Sequence, residues 1–375
     1  MNLLPPRILH LHSTFDAGGK EVRCTRLINA WQQDADHAIV SGDPTKRGAA
    51  HLLSSVVKVS WPRFPPLQGR PTPRRLKALA EAMTRFDLIC SYNWGAIDAV
   101  MAHTLFADRF GLAPLVHHED GFNEDEIDRL KTRRNWYRRI ALGRSAALVV
   151  PSRQLERIAL EQWQQPRARV QRIGNGIETQ DFAEAPKPQV QPGLAKASGS
   201  LWLGTLAGLR EVKNLAVLVS AIAQLPPEWQ LVIAGEGPQR GALEQLARDL
   251  GVEARVHLPG FVDQPEKIVG LFDIFALSSH SEQFPISVVE AMAAGVPVVA
   301  PRVGDIAEMV ASENGPLLSA AGDEAGLVGS LRNLAQQPDQ RRRIGAANRL
   351  KAQAEYDADA MTRRYRALYW GLMGR

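Results

Sequence analysis

Cysteine is nearly absent from this 375-residue chain, with Cys24 and Cys90 as the whole complement. They lie far apart and fall in no metal-binding or redox spacing, which argues for a reducing compartment. No uncharged apolar run reaches the roughly 18 residues that a membrane-spanning helix needs. The first short apolar run gives way to His10, His12 and Ser13, so no signal peptide is expected. Zinc-finger, helix-turn-helix and mixed aromatic–basic patterns are missing, which disfavours nucleic acid as a partner. Internal repeats and low-complexity segments are missing as well. The expectation is a soluble cytoplasmic protein.

Hydrophobic residues make up 45% and charged residues 23%, and the length suits two domains of ordinary size. The net charge of +5 is unevenly placed. Residues through Gln180 carry 26 Lys+Arg against 18 Asp+Glu, or +8, and the remainder carries 19 against 22, or −3. A basic first half suggests an anionic partner, either a membrane surface or a phosphate-bearing acceptor.

Strand-like and helix-like pieces alternate through the first half. Strands are expected at Arg7–His12, His37–Ser41, Leu88–Tyr92, Pro114–His117 and Ala147–Pro151. A Gly-rich turn at Thr14–Lys20 leads into a helix at Glu21–Gln33, and proline-rich Pro62–Pro73 reads as an irregular loop. Ala183–Ser200 carries Pro, Gly, Ser and Ala without a period and reads as a linker. A second alternation follows. Its strands are Leu201–Ala207, Gln230–Ala234, Val256–Leu258, Ile274–Leu277 and Val298–Ala300, with helices at Asn214–Gln224 and Pro238–Leu250 and a short one at Asp263–Phe272. From Glu324 the chain reads as helical to its end, with Tyr365, Leu368, Tyr369 and Trp370 giving the tail a strongly apolar face. The fold class is therefore α/β, with two doubly wound parallel sheets. The domains are 1–182 and 201–357, joined by the linker 183–200.

His280–Pro297 (HSEQFPISVVEAMAAGVP) is the richest stretch. Glu282 falls in the loop that closes an apolar strand. Pro285 fits the first helical turn, and Glu290 falls just inside the helix. The free amides from Phe284 to Ser287, Pro285 itself having none, stand at a helix N-terminus, where anions bind, and Gln283, Phe284, Pro285 and Ile286 are candidate donor-binding residues. Carboxylates that accept from hydroxyls beside amides that hold phosphate suit a sugar nucleotide. Two acids at a helix start would also simply complement its dipole.

Gly18 and Gly19 follow the first strand, where glycine lets backbone approach a ligand closely or merely makes a tight turn. Gly208–Asn214 (GLREVKN) sets Arg210 and Lys213 after a strand and before a helix. There they could neutralise a diphosphate or form a solvated turn. Leu115–Phe122 (LVHHEDGF) ends a strand with paired histidines. Gly235, Gly237 and Gly241 give only a weak dinucleotide pattern, interrupted by Pro238 and without a placed ribose acid, so a dehydrogenase is disfavoured. Glu126–Arg144 joins seven Lys or Arg, among them Lys131, Arg133, Arg134, Arg138, Arg139 and Arg144, with Trp136, Tyr137, Ile140 and Leu142. It reads either as a basic helix on anionic lipid or as a charged face packed on its own domain.

The glutamate–seven residues–glutamate spacing of Glu282 and Glu290, continued by AMAAGVPVVA, resembles the signature of retaining GT-B glycosyltransferases. These belong to the large family four, or "glycosyl transferases group 1", which includes sucrose-phosphate synthases and bacterial sugar transferases. The resemblance covers most of the chain, is strongest over Ile173–Gly304 and is weakest over Val40–Arg85. It implies two facing Rossmann-like domains with a cleft between them, an acceptor-binding first domain and a donor-binding second, and a tail (358–375) crossing back onto the first. By resemblance Glu290 accepts from ribose hydroxyls, Glu282 holds the donor sugar, and Gly18 and Gly19 line the cleft near the donor phosphates.

Lys213 matches the family's lysine. Gly208 stands where the family has arginine, so Arg210 is its nearest substitute. Asp120 stands at the family's catalytic histidine, with His118 two residues earlier as the first choice for that role. Gln283 replaces a frequent glycine. The implied reaction moves a hexose from a nucleotide-diphosphate sugar to a glycan or lipid-linked glycan with retention, in bacterial surface polysaccharide synthesis. It uses no metal and no cofactor beyond that co-substrate. Two other readings stand beside it. One is a degenerate binder of sugar nucleotides acting as a regulator or complex partner; the other is an epimerase of the same fold, against which the signature argues.

Overall fold

The computed structural model describes residues 4–122, 126, 130–191 and 194–374. It divides into two units, Met1–Gly174 with Met361–Arg375, and Asn175–Ala360.

In the first unit the alternation runs β1 (Arg7–His12), α1 (Gly19–Trp31), β2 (Asp36–Ser41), β3 (Val59–Ser60), α2 (Pro73–Met83) and β4 (Leu88–Tyr92). It continues α3 (Ile97–Phe110), β5 (Leu115–His118), α4 (Thr132–Ala141), β6 (Ala147–Val150), α5 (Arg153–Glu161) and β7 (Val170–Arg172). All pairings are parallel, in the order β3-β2-β1-β4-β5-β6-β7. A parallel sheet covered on both faces wants apolar runs without alternation. Every residue of β4, β5 and β6 is buried, although β5 (LVHH) ends in two histidines. The strand order reverses between β1 and β4, so the loops after these two strands open from one edge, where open α/β sheets place ligands.

The second unit begins with β8 (Gln189–Gln191) and β9 (Leu194–Ala195), a short antiparallel pair. Then come β10 (Leu201–Leu206), α6 (Ala216–Ile222), β11 (Trp229–Ala234), α7 (Arg240–Asp249), β12 (Val256–Gly260) and β13 (Ile274–Ala276). α8 (Ile286–Ala293), β14 (Val298–Pro301), α9 (Ile306–Met309), β15 (Leu318–Ser319), α10 (Glu324–Ala335) and α11 (Pro338–Glu355) complete it. The order β12-β11-β10-β13-β14-β15 is again wholly parallel, with its reversal between β10 and β13.

The last helix, α12 (Ala358–Leu372), returns the chain to the first unit. Its Met361, Tyr365 and Tyr369 are buried among Ile8, Leu27, Ile28 and Trp31. Among the described residues no helix is long and apolar enough to cross a membrane.

Several expectations need correction. Ala183–Ser200 is no free linker. Leu194 is buried in the second unit's core, and the Lys196 ammonium donates to the Leu271 carbonyl and the Asp273 carboxylate, both at 2.7 Å. Pro192 and Gly193, inside that segment, lie outside the described residues. The unit boundary accordingly falls at Gly174/Asn175, earlier than residue 182. The reason is that Ile177 and Phe182 also pack in that core, and Ile177 bridges in parallel to Asp357. Asp263–Phe272 is not one helix but two 3-10 turns, Pro265–Lys267 and Val269–Leu271. The dihedrals of Ile268 (φ −127°, ψ −39°) break the run, and Gly270 leaves room for Pro186, whose Cδ lies 2.6 Å from where a side chain would begin.

Candidate active site

In the second unit, the loops after β10 and β13 meet at the strand-order reversal. The first is a 3-10 turn, Glu211–Lys213, closed by Asn214 in the left-handed region at φ 46°. Placing Lys213 there brings its Nζ to 2.5 Å from Glu282 Oε1. The Ser279 hydroxyl donates to the same oxygen at 2.6 Å. Two further bonds lock the loops together: Ser278 Oγ to the Lys213 carbonyl at 2.9 Å, and the His280 amide to the Val212 carbonyl at 2.9 Å. Both side chains of the ion pair keep some exposure, 19% for Lys213 and 10% for Glu282. A ligand can therefore reach them.

Arg210 is exposed, and its Nε lies 3.4 Å from where a Gly208 side chain would begin. The guanidinium thus folds back over the residue that replaces the family's arginine. Gly237 is needed for close approach: at φ 156°, a Cβ there would fall 2.5 Å from the Leu209 carbonyl. The Gly235–Pro238 turn so braces the Arg210 loop from beside it.

Pro285, with φ −70° and ψ 110°, is the residue just before α8 rather than within its first turn. The amides of Ile286 and Ser287 open the helix at positions with no intrahelical acceptor. Val288, Val289, Ala291, Met292 and Ala293 are buried, so α8 is held by its own core on most of its circumference. Glu290 is half-buried on its remaining side. Phe284 packs edge-on against Tyr356, with centroids 5.6 Å apart. The Gln283 side-chain oxygen is buried with no hydrogen-bond partner among the described residues.

Gly304 and Asp305 were not foreseen. Gly304 has φ +57°, and a Cβ there would lie 2.5 Å from the Glu282 carbonyl oxygen; the Asp305 amide donates to the Gln283 carbonyl at 3.1 Å. The loop after β14 is therefore the floor under Glu282 and Gln283. The available signal was a glycine three residues past the end of a strand and just before a short helix.

In the first unit Gly18 caps α1 and Gly19 is its first residue, two positions before the expected start. The Glu21 carboxylate reaches back to within 2.9 Å of where a Gly18 side chain would begin, and it pairs with Lys20. Burial opposes its charge, yet His12 and Lys20 bring its pKa below the usual range. His12 lies under this turn, fully buried, its ring stacked on Tyr92 at 3.9 Å. Burial pulls its pKa down to about 4, so it is neutral.

His118 does not suit the catalytic role expected for it. It is 1% exposed, with Nδ1 3.1 Å from the Ser91 carbonyl and Nε2 2.7 Å from the Tyr369 hydroxyl. A carbonyl only accepts, so Nδ1 carries the proton and Nε2 accepts from Tyr369. Burial, then the nearby Arg23 charge, holds the ring's pKa well below the ordinary histidine value. Both nitrogens are committed to the core.

Asp120 differs. Its carboxylate is 15% exposed and gripped by both terminal nitrogens of Arg23, one at 2.9 Å. Its amide donates to the Asn93 side chain at 2.8 Å. Burial works against the Arg23 charge, but Asp120 outweighs it and raises the guanidinium's pKa well above the ordinary value.

The basic segment is divided by the fold. Arg138 is fully buried between Glu119 (3.2 Å) and Glu126 (3.3 Å), and its guanidinium lies 4.9–5.3 Å from the Trp94, Phe122 and Trp163 ring centres. Arg134 also bonds Glu126, at 2.9 Å. Residues 127–129 of this segment lie outside the described residues. Among the described residues no three His, Cys, Asp or Glu side chains come together as a metal site.

Two family models together match most of the chain. Residues 17–181 match "Glycosyltransferase Family 4", and residues 187–351 match "Glycosyl transferases group 1". The chain belongs to glycosyltransferase family four.

This family-four chain is 31% identical over 225 residues to the putative glycosyltransferase EpsF of Bacillus subtilis, covering 55% of this chain and 57% of that one. It is 28% identical over 157 residues to the lipopolysaccharide core biosynthesis glycosyltransferase LpsD of Rhizobium meliloti, covering 42% and 46%. The matches thus span about half the length of these relatives. Among solved structures it is similar to Anabaena Alr3699/HepE in complex with UDP, with a TM-score of 0.80, 20% identity and coverage of 96% and 99%. At that identity the likeness establishes the fold, which is GT-B.

Proposed function

We propose that this family-four chain transfers a hexose from a nucleotide-diphosphate sugar to a glycan or lipid-linked glycan, with retention, in the synthesis of bacterial surface polysaccharide. The observation that carries the reading is the Lys213–Glu282 ion pair across the strand-order reversal of the second unit, beside the open amides of α8. Without a donor each charge neutralises the other. With one, the diphosphate takes over Lys213 and frees Glu282 to accept from sugar hydroxyls.

In this reading Lys213, Arg210 and the amides of Ile286 and Ser287 stabilise the charge that grows on the departing diphosphate, the term that usually dominates such catalysis. Glu290 accepts from the ribose hydroxyls. The bond from the anomeric carbon to the diphosphate breaks with its electrons, and the acceptor oxygen bonds that carbon. The acceptor's proton passes to a donor phosphate oxygen. On the first unit the role left open by the committed His118 falls to Asp120, held in place by Arg23. The buried free thiols Cys24 and Cys90 accord with a cytoplasmic setting. HepE, crystallised with UDP, and LpsD, named for lipopolysaccharide core synthesis, support the donor and acceptor classes.

The test is release of nucleoside diphosphate from a panel of nucleotide sugars, with cell-derived lipid and glycan extracts as acceptors. Turnover by the wild type, unaffected by a chelator and lost in Glu290→Ala, is expected. Donor binding without release under every condition would instead support the degenerate regulator, which the altered Gly208, Asp120 and Gln283 positions favour.

A further inference from the structure

We infer that the joined loops after β1, β2 and β3 of the first unit bind an acidic sugar of the acceptor, one that carries a carboxylate or a phosphate. The inference rests on the transfer reading above and names a chemical property of its acceptor. In a doubly wound sheet these loops share the edge at the strands' carboxyl ends, where ligands bind. Here they are laced together. The Phe15 amide donates to the Lys46 carbonyl at 2.9 Å, the Ala49 amide to the Phe15 carbonyl at 2.9 Å, and the Gly48 amide to the Asp16 carboxylate at 3.0 Å. Trp61, directly after β3, stands edge-on against Phe15 with ring centres 5.5 Å apart. Over the Trp61 ring lies the guanidinium carbon of Arg47, 4.5 Å from its centre.

The proline-rich stretch that follows Trp61 has no helix or strand before α2, yet its shape is fixed. Leu67 is buried in the core beneath it and Phe64 packs against the same core. Arg75 of α2 turns back into the loop, donating to the Pro66 carbonyl at 3.1 Å and to the Leu67 carbonyl. Its guanidinium is held in turn by Asp98 at 2.8 Å, whose other oxygen accepts from the Tyr137 hydroxyl at 2.7 Å. At the loop's far end Gln68 Nε2 comes within 3.1 Å of where a Gly95 side chain would begin, which brings the loop after β4 alongside. A loop set in this way loses little entropy when a ligand arrives.

Charge decides the occupant. Residues 42–80 hold 8 Lys or Arg and a single acid, Asp43. Four of those cations are answered locally: Lys58 by Asp36 at 2.6 Å, Arg75 by Asp98, Lys77 by Glu81 at 3.3 Å, and Lys46 by the field of Asp43. Arg47, Arg63, Arg70 and Arg74 are exposed and form no ion pair among the described residues. Asp16, next to them in the joined loops, spends an oxygen on the Gly48 amide and forms none either. Arg47 and Arg63 therefore flank Trp61 with their hydrogen-bond forks free. A guanidinium fork takes a carboxylate or a phosphate through paired bonds, and the indole beside it offers a flat apolar wall to a sugar ring. A neutral glycan would leave this charge unanswered.

The test is calorimetric binding to the full chain, without donor, of trigalacturonate, its neutral methyl ester and tripolyphosphate. Trigalacturonate should bind, with the ester weaker by at least about tenfold, and Arg47→Ala and Arg63→Ala should each weaken the acid about tenfold. Both variants should keep the wild-type thermal unfolding midpoint. Arg157→Ala, which removes an exposed charge from α5, is the matched control and should bind as the wild type does. Tripolyphosphate binding that Arg47→Ala weakens, with trigalacturonate unbound, would assign the site to a phosphate-bearing sugar rather than a uronic acid. Equal binding of acid and ester, no binding of either anion, or affinities that Arg47→Ala and Arg63→Ala leave unchanged would overturn the inference. An equal loss in Arg157→Ala would overturn it too, by reducing the effect to general charge attraction. Release of nucleoside diphosphate is read separately, so failure here leaves the transfer reading standing.

Discussion

Arg138 shows how one side chain can mislead in one dimension and explain itself in three. In the sequence it belongs to a basic, aromatic-rich stretch that reads as a surface. In the fold it is a buried cation between two buried carboxylates, with three aromatic rings around it. Removing one member of such a cluster leaves the others charged without compensation, at a typical cost of about 3–5 kcal/mol. Arg138→Met should therefore lower unfolding stability by that order in a urea titration, and adding Glu119→Gln should recover part of it. His118 teaches the same lesson. The pattern HHED gives no sign that Tyr369, 251 residues away, takes its Nε2. A histidine's role depends on what covers it, and the cover comes from the far end of the chain.

The strands and helices that position the site were mostly legible, because each carries its own local pattern. β13 is a continuous apolar run, β1 and β4 are mostly apolar and buried almost throughout, and α8 begins beside a proline and stops at a glycine. What escaped were elements too short to show a period: β3 and β15, of two residues each, the four-residue α9 and the β8–β9 pair. Their existence is decided by neighbours. The loop joining β14 to α9 matters most, since Gly304 permits the contact that supports Glu282. Gly304→Ala would combine a left-handed backbone with a Cβ driven against the Glu282 carbonyl oxygen. A stability loss of about 1–3 kcal/mol is expected, given the usual cost of such a backbone for a side-chain-bearing residue. Donor affinity should fall in parallel, measured by calorimetry with a nucleoside diphosphate. Unchanged affinity would separate the loop from the site.

The molecule as a whole buries two parallel sheets, and the first encloses an unusual number of histidines. Burial lowers His12 and His37 to about 4. Their folded pKa lies below the unfolded value of about 6.5, so the unfolded chain takes up protons first as pH falls. Their contribution is complete above about pH 6.5, declines between there and about pH 4, and stays lost below. For each group it is roughly 3 kcal/mol. Urea midpoints across that window should fall with acidification, and His37→Gln should flatten the slope; an unaltered slope would remove His37 from the explanation. The placement of Lys213 against Glu282 at the reversal of the second sheet remains the feature on which the functional account depends. The most direct test is calorimetric binding of nucleoside diphosphates to the wild type, Lys213→Met and Glu290→Ala. The account predicts binding by the wild type and a loss of at least about tenfold in each variant, matching one charge-assisted hydrogen bond, with unfolding midpoints unchanged. Equal affinity in all three would contradict it.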